Sequence, residues 1–338
     1  MPKTILSFYI DDTNPYVAPS QAFKSFLDFA SSEGIAGEAS LILGYDWQEH
    51  GLLSHHPTDT QLAFIEQMQR AYGCGIDTHF ELMTHSGLYD FTTEQIPEGA
   101  IHEGLWLHEP AVSIEDYEAY LGNILTEGEK VGVRFTGMTW PGCGCPACTQ
   151  RYRQLWYSGF RQRLARTFTG GRGRRGLASA LRGLWEGPEP NPNMWRALLN
   201  LARQGRFRGR TVPCFFGADR KGCEDRLMAQ EGEYAVFDLP PNAPDRLGLW
   251  LNDLGHVDAD AYITPDGNAG RIVELVRGGA PYCLWYAHWQ GVNPANGVGW
   301  EAFQQLVARI QRHLGDQVIW MRPSQITDGL LQEYQAQE

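Results

Sequence analysis

Basic side chains are scarce in this chain. Its 28 lysines and arginines stand against 40 aspartates and glutamates, a formal net charge of -12 over 338 residues. That balance excludes a nonspecific grip on nucleic acid, which rests on neutralising phosphates with cations, and it disfavours an anionic membrane surface. Long apolar runs are missing as well: no stretch approaches the roughly 18 apolar residues of a spanning helix. No basic segment with a long apolar core precedes the strand pattern that opens at Thr4, so a cytoplasmic location is the expectation. Cysteine is sparse and odd in number. The seven residues Cys74, Cys143, Cys145, Cys148, Cys214, Cys223 and Cys283 do not read as a disulfide framework. A sequence repeat and a domain linker are both lacking, so one domain over residues 1–338 is expected.

What is present suffices for a large core, with 43% hydrophobic and 12% aromatic residues. Strand-like segments at 4–10, 38–45, 75–83, 134–140, 211–216, 233–237, 259–264, 281–287 and 317–321 recur along the chain. Helical stripes at 20–32, 58–72, 113–131, 146–168, 269–276 and 301–314 fall between them. Ser113 and Asp116 predict a capping box at the start of one helix. Repeated strand-then-helix units predict an α/β fold with parallel strands under covering helices. A stretch from Thr169 to Asn193, rich in glycine, arginine and proline, reads as an insertion. It holds a literal G-x-G-x-x-G, Gly171 to Gly176, but without the preceding strand that dinucleotide binding requires.

The chemistry gathers at strand ends, where α/β barrels build their sites. The first strand ends in Asp11-Asp12. On the third, Asp77, His79 and Glu81 alternate and so share a face, a placement that demands pairing or a cation. A turn after Glu81 would let His85 join them. The apolar run Tyr282–Ala287 ends in His288, placed to donate a proton to a leaving group. Asp238 and Asp266 each follow a strand candidate and are taken to line the same mouth. Trp140, Trp285 and Trp289 offer apolar faces for stacking on sugar rings. Cys143, Cys145 and Cys148 are spaced to wrap a soft metal, so a structural zinc is a candidate beside reduced thiols.

The order of these signals resembles the metal-dependent polysaccharide deacetylases, the nodulation-protein-B-like carbohydrate esterases. That resemblance implies an irregular (β/α)7-type barrel and a divalent metal, with zinc foremost. It implies Asp11 as base, Asp12 and His85 as metal ligands, and His288 in Tyr286-Ala287-His288 as general acid. The family pairs His85 with a histidine four residues earlier; here that position is Glu81, with His79 two residues further back, so both are candidate ligands. The segment Thr139-Trp140-Pro141-Gly142 keeps the proline of the third motif but has no arginine. The closing stretch from Gln317 to Ile326 matches the family's last strand and helix. Removal of an acyl group from a carbohydrate is the function so implied. Two rivals stay open: a glycoside hydrolase using Glu81 with Asp11 or Asp238, and a carbohydrate-binding barrel without turnover.

Overall fold

Aromatic and β-branched side chains dominate the segment TILSFYID, which favours an extended chain buried on both faces. The computed structural model describes residues 2–14, 20–44, 58–140, 154, 190–216, 226–243, 245–247 and 257–336. In it this segment is β1 (Thr4–Asp11). It is followed by β2 (Gly37–Leu41), β3 (Ile76–Phe80), β4 (Gly137–Thr139) and β5 (Thr211–Phe215). The remaining strands are β6 (Arg226–Glu231), β7 (Tyr234–Asp238), β8 (Tyr282–His288) and β9 (Val318–Trp320). They form one sheet in the order β6-β7-β5-β4-β3-β2-β1-β8, with β9 also paired to β1. All pairings are parallel except that of β6 with β7. Parallel neighbours need crossovers. Helices at Ser20–Glu33, Asp59–Ala71, Ile114–Lys130, Pro192–Arg203, Arg271–Arg277 and Val298–Leu314 lie in those connections.

The expected parallel strands and covering helices are therefore present, while closure of the barrel is not: the ladder runs from β6 at one end to β8 at the other, and those two strands do not pair. The chain leaving β7 lies along the edge of β8 that faces this opening. Asn242 and Ala243 N–H both donate to Leu284 O, and the Asn242 side chain accepts Leu284 N–H and donates to Tyr282 O. An asparagine thus does the work of a strand neighbour along the edge of β8.

Side-chain alternation divides the sheet into two faces. Tyr9, Phe215, Phe237 and Leu284 turn into the enclosed interior. Phe8 turns outward and packs its ring against Phe26, Trp285, Phe303 and Trp320. Burying one such ring contributes about 1.5–3 kcal/mol. The last helix, Pro323–Gln335, lies at the amino ends of the strands and adds Ile326, Leu330 and Leu331 to the interior. Asp77 holds its first turn, accepting Ser324 N–H at 2.7 Å and Ser324 Oγ–H at 2.9 Å. A carboxylate at a helix N-terminus also meets the positive end of the helix dipole.

Several sequence expectations need correction. Residues 259–264 form no strand: Asp258 accepts the Asp260 and Ala261 amides and winds Ala259–Ala261 into a 3-10 turn. The hairpin partner β6 and the helix Pro192–Arg203 were not anticipated, and that helix takes over the last residues of the supposed insertion. The rest of that insertion up to residue 189 lies outside the described residues. So does the expected helix at 146–168, apart from Gln154. The Ser113 capping box is present, with Asp116 N–H donating to Ser113 Oγ at 3.1 Å and Ser113 N–H to Asp116 Oδ2 at 3.1 Å.

Candidate active site

The carboxyl ends of β1, β2, β3 and β8 bring Asp11, Asp12, Glu81, His85 and His288 to one place, with Ser40 from β2. At the end of β1 the chain twists into the left-handed region at Asp12, φ 65°. Its amide there donates to Glu81 Oε2 at 2.9 Å, and Ser40 Oγ–H, from β2, donates to the same oxygen. Past β3 the backbone turns left-handed again at Leu82, φ 54°, and at His85, φ 53°. Non-glycine residues held this way cost about 1–3 kcal/mol each and collect at functional sites. The turn folds His85 back over Glu81, as the sequence required of it. His85 Nε2 lies 3.3 Å from Glu81 Oε1 and 3.5 Å from Asp12 Oδ1. Ligand atoms of Asp12, Glu81 and His85 all fall within 4.8 Å of one another.

This cluster is electrostatically unusual. Burial works against a charge on His85, yet the Glu81 hydrogen bond and the carboxylates of Glu81, Asp12 and Glu103 outweigh it and push the imidazole up to about 9. Enough negative potential converges here to keep a proton on a buried ring. Asp12 is raised by burial and by Glu81, against the pull of His85, His288 and Gln290. Asp11 is raised well above the carboxylate range, first by burial, then by Glu81, Glu38, Asp12 and Asp245. Its Oδ1 has no hydrogen-bond partner among the described residues.

On the neighbouring strand, His288 ends β8 as the register partner of Asp11. Its Nδ1–H donates to Asp245 Oδ2 at 2.8 Å, and Asp245 Oδ1 in turn accepts Leu247 N–H at 2.9 Å. A carboxylate can only accept, so this bond fixes the ring's tautomer and turns Nε2 away from Asp245. Burial opposes the charged ring, but the Asp245 bond and the charges of Asp12, Asp245 and Glu81 raise His288 above its ordinary value.

The structure does not bring every candidate here. His79 shares the interior face with Glu81 but lies a layer deeper, wholly buried. Its Nδ1 is 3.3 Å from Thr139 Oγ1 and 3.7 Å from Glu38 Oε1, and desolvation lowers the ring to about 3. His79 therefore stands outside the three-residue group. Trp285 and Trp289 are both 0% exposed. They turn outward into the aromatic core against Phe8, Phe23 and Phe26, so neither presents a face to a sugar. Asp238 ends β7 on the outward face, beside Cys214, whose thiol it helps to raise after burial. Asp266 closes a small turn, accepting Thr264 Oγ–H and Asn268 N–H. That turn packs on His313 near the amino end of β9, opposite the mouth. Trp140 does reach the carboxyl end of β4, half-buried, its Nε1–H on Gly104 O at 3.1 Å and its ring edge-on to His108. Cys143, Cys145 and Cys148 lie outside the described residues.

Sequence reasoning passed over Ser40, Glu103, Asp245 and Gln290. Ser40 was legible in principle, because it sits on the same face of β2 as Glu38 and opposite His79. The other three sit in segments without strand periodicity.

Among the described residues no helix is long and apolar enough to cross a membrane. No protein-family model matches the chain, and no curated protein does. Solved structures resemble it distantly. A Mycobacterium smegmatis protein provisionally named a polysaccharide deacetylase is 13% identical, with a TM-score of 0.47 over 100% of this chain and 92% of that one. A T48 deacetylase solved with substrate is 9% identical, with a TM-score of 0.42 over 97% and 92%. A 4-alpha-glucanotransferase from Thermococcus litoralis is 9% identical, with a TM-score of 0.40 over 95% of this chain but 37% of its own. Overlaps this loose carry no function.

Proposed function

We propose that this chain is a hydrolase that removes an acyl group, acetyl foremost, from a carbohydrate with the help of a divalent cation. The observation that carries the reading is the convergence of Asp12, Glu81 and His85 within 4.8 Å beside the opposed pair Asp11 and His288. The donor set fits a cation on its own chemistry. Two carboxylates and an imidazole suit a first-row divalent ion, and the carboxylates of Glu81, Asp12 and Glu103 that raise the proton affinity of His85 give the negative potential a cation would answer in the proton's place. Bound to those three residues, such an ion would supply Lewis-acid polarisation of an acyl carbonyl and acidification of water.

The chain's own residues supply the rest. Asp11, buried and raised in proton affinity, takes the proton of the attacking water. His288, its proton affinity raised by the Asp245 bond against the effect of burial, gives a proton to the departing amine or alkoxide. Asp245 holds the ring in the tautomer that leaves Nε2 to do so. Trp140 borders the mouth as the remaining aromatic candidate for sugar contact. Nucleic acid and anionic membranes stay outside this reading on the strength of the net charge, -12.

Assay of acetylated oligosaccharides with purified protein tests it. Acetate release that chelation abolishes and divalent ions restore is the expected result. Release of reducing sugar would favour a glycosidase instead, and tight sugar binding without product a binding protein.

A further inference from the structure

Glu103 opens the short helix Glu103–Trp106, and its carboxylate is wholly buried under the loop that carries His85. Three consecutive amides converge on it. Met83 N–H donates to Oε1 at 3.0 Å, and Thr84 and His85 N–H donate to Oε2 at 2.9 and 2.8 Å. The Tyr120 hydroxyl also donates to Oε1. The same helix start grips the loop elsewhere: Glu103 N–H donates to Ser86 O at 2.7 Å, and Leu88 N–H to Ile101 O at 2.8 Å. His102 sets its ring edge-on to His85, with centroids 6.2 Å apart.

The backbone that needs this grip is under strain. Leu82 and His85 are both left-handed, at φ 54° and 53°, and they bracket the three amides that Glu103 accepts. Successive amides that point to one side form an anion-binding concavity, and a carboxylate seated in it locks the turn. Without that anion the amides would be buried donors lacking acceptors, and the turn could relax to ordinary dihedrals. The His85 ring would then swing away from Asp12 and Glu81.

We propose that Glu103 is a positioning residue that aims His85 into the metal group by anchoring the backbone at 83–85. The proposal rests on the cation reading above for its consequence, though not for the anchoring itself. Outer partners that orient a metal ligand change metal affinity without touching the ion.

The experiment compares the full chain with Glu103→Gln and Tyr120→Phe. A glutamine of equal size turns an amide N–H toward the backbone donors, and the phenylalanine removes one donor to Glu103. Hydrogen exchange on peptides spanning 81–88 reads the anchor, and Co2+ titration reads affinity and ligand geometry through the visible spectrum. All readings are made below each variant's melting temperature. In Glu103→Gln, exchange should accelerate over 83–85 and Co2+ affinity fall about 10- to 100-fold with an altered spectrum. Tyr120→Phe should move both in the same direction by less, and it decides the matter if Glu103→Gln does not fold. Exchange at the parent's rate overturns the proposal. So does Co2+ binding within about two-fold of the parent with an unchanged spectrum, far short of the usual effect. A parent chain that binds no Co2+ defeats the cation reading, and the exchange rates alone then decide whether Glu103 anchors the loop.

Discussion

Asp11 and His288 are cross-strand partners at the last paired position of β1 and β8. A carboxylate with raised proton affinity and an imidazole whose proton affinity Asp245 raises against burial therefore face one cleft from adjacent strand ends.

The pair should set both limbs of the pH–rate profile for acetate release. Asp11 acts as base only when deprotonated, so its raised pKa places the acid limb above the ordinary carboxylate range. His288 acts as acid only while protonated, so its raised pKa carries the alkaline limb above that of free imidazole. Asp11→Asn and His288→Ala should each cut the rate about 10²- to 10⁴-fold and erase the corresponding limb. Asp245→Asn removes the charge that keeps the proton on His288, and should move the alkaline limb to lower pH. A limb that persists in its own variant would reassign that residue.

Metal content should follow the upper layer of the interior and ignore the lower one. Asp12→Ala, Glu81→Ala and His85→Ala should each abolish stoichiometric divalent metal in elemental analysis of dialysed protein. His79→Gln should retain it, since His79 faces Thr139 and Glu38 instead. Loss of metal in the folded His79 variant would restore that histidine to the site.

Gly137 leaves no room for a side chain on the interior face. A Cβ there would lie 2.1 Å from the Pro213 carbonyl oxygen and 2.5 Å from His79 Nε2. Backbone cannot yield as a side-chain tip does, so Gly137→Ala should destabilise by about 1–3 kcal/mol or more. Denaturant unfolding measures it; an unchanged midpoint would mean that the β4–β5 contact is looser than described.

The tryptophans should separate by face. Trp285→Ala empties a fully buried position and should lower stability by about 3–5 kcal/mol. Trp140→Ala should leave a folded protein whose loss appears in KM for the sugar more than in kcat. A Trp140 variant with unaltered KM would remove it from the substrate's path.

What the sequence made legible is what strand periodicity encodes. The shared face of Asp77, His79 and Glu81 followed from alternation alone, and so did the placement of Asp11 and His288 at strand ends. Alternation also explains the misplaced tryptophan: Trp285 and His288 are three apart on β8, an odd number, and so point to opposite faces. Asp245 and Glu103 were illegible for a different reason. Asp245 meets His288 across 43 residues, and Glu103 meets the amides of Met83, Thr84 and His85 across 20, 19 and 18. Each contact has an irregular segment on one side, where no local pattern marks a partner. Glu81 illustrates the limit differently: its carboxylate was expected as a ligand, but its acceptance of the Asp12 amide depends on a left-handed twist that only the folded chain reveals.

The place of β1 in the sheet bears on how the protein is made. One edge of this strand is taken by β2 only at Tyr9 and Ile10 and by β9 at Thr4 to Leu6, while β8 covers the other edge from Ile5 to Asp11. Synthesis delivers β8 and β9 long after β1. A nascent chain must therefore carry an apolar strand with one bare edge and one half-filled edge through most of translation. Unpaired edges of this kind template association with other chains. Production of this protein should accordingly be governed by chaperone supply and elongation rate more than by the stability of the finished fold.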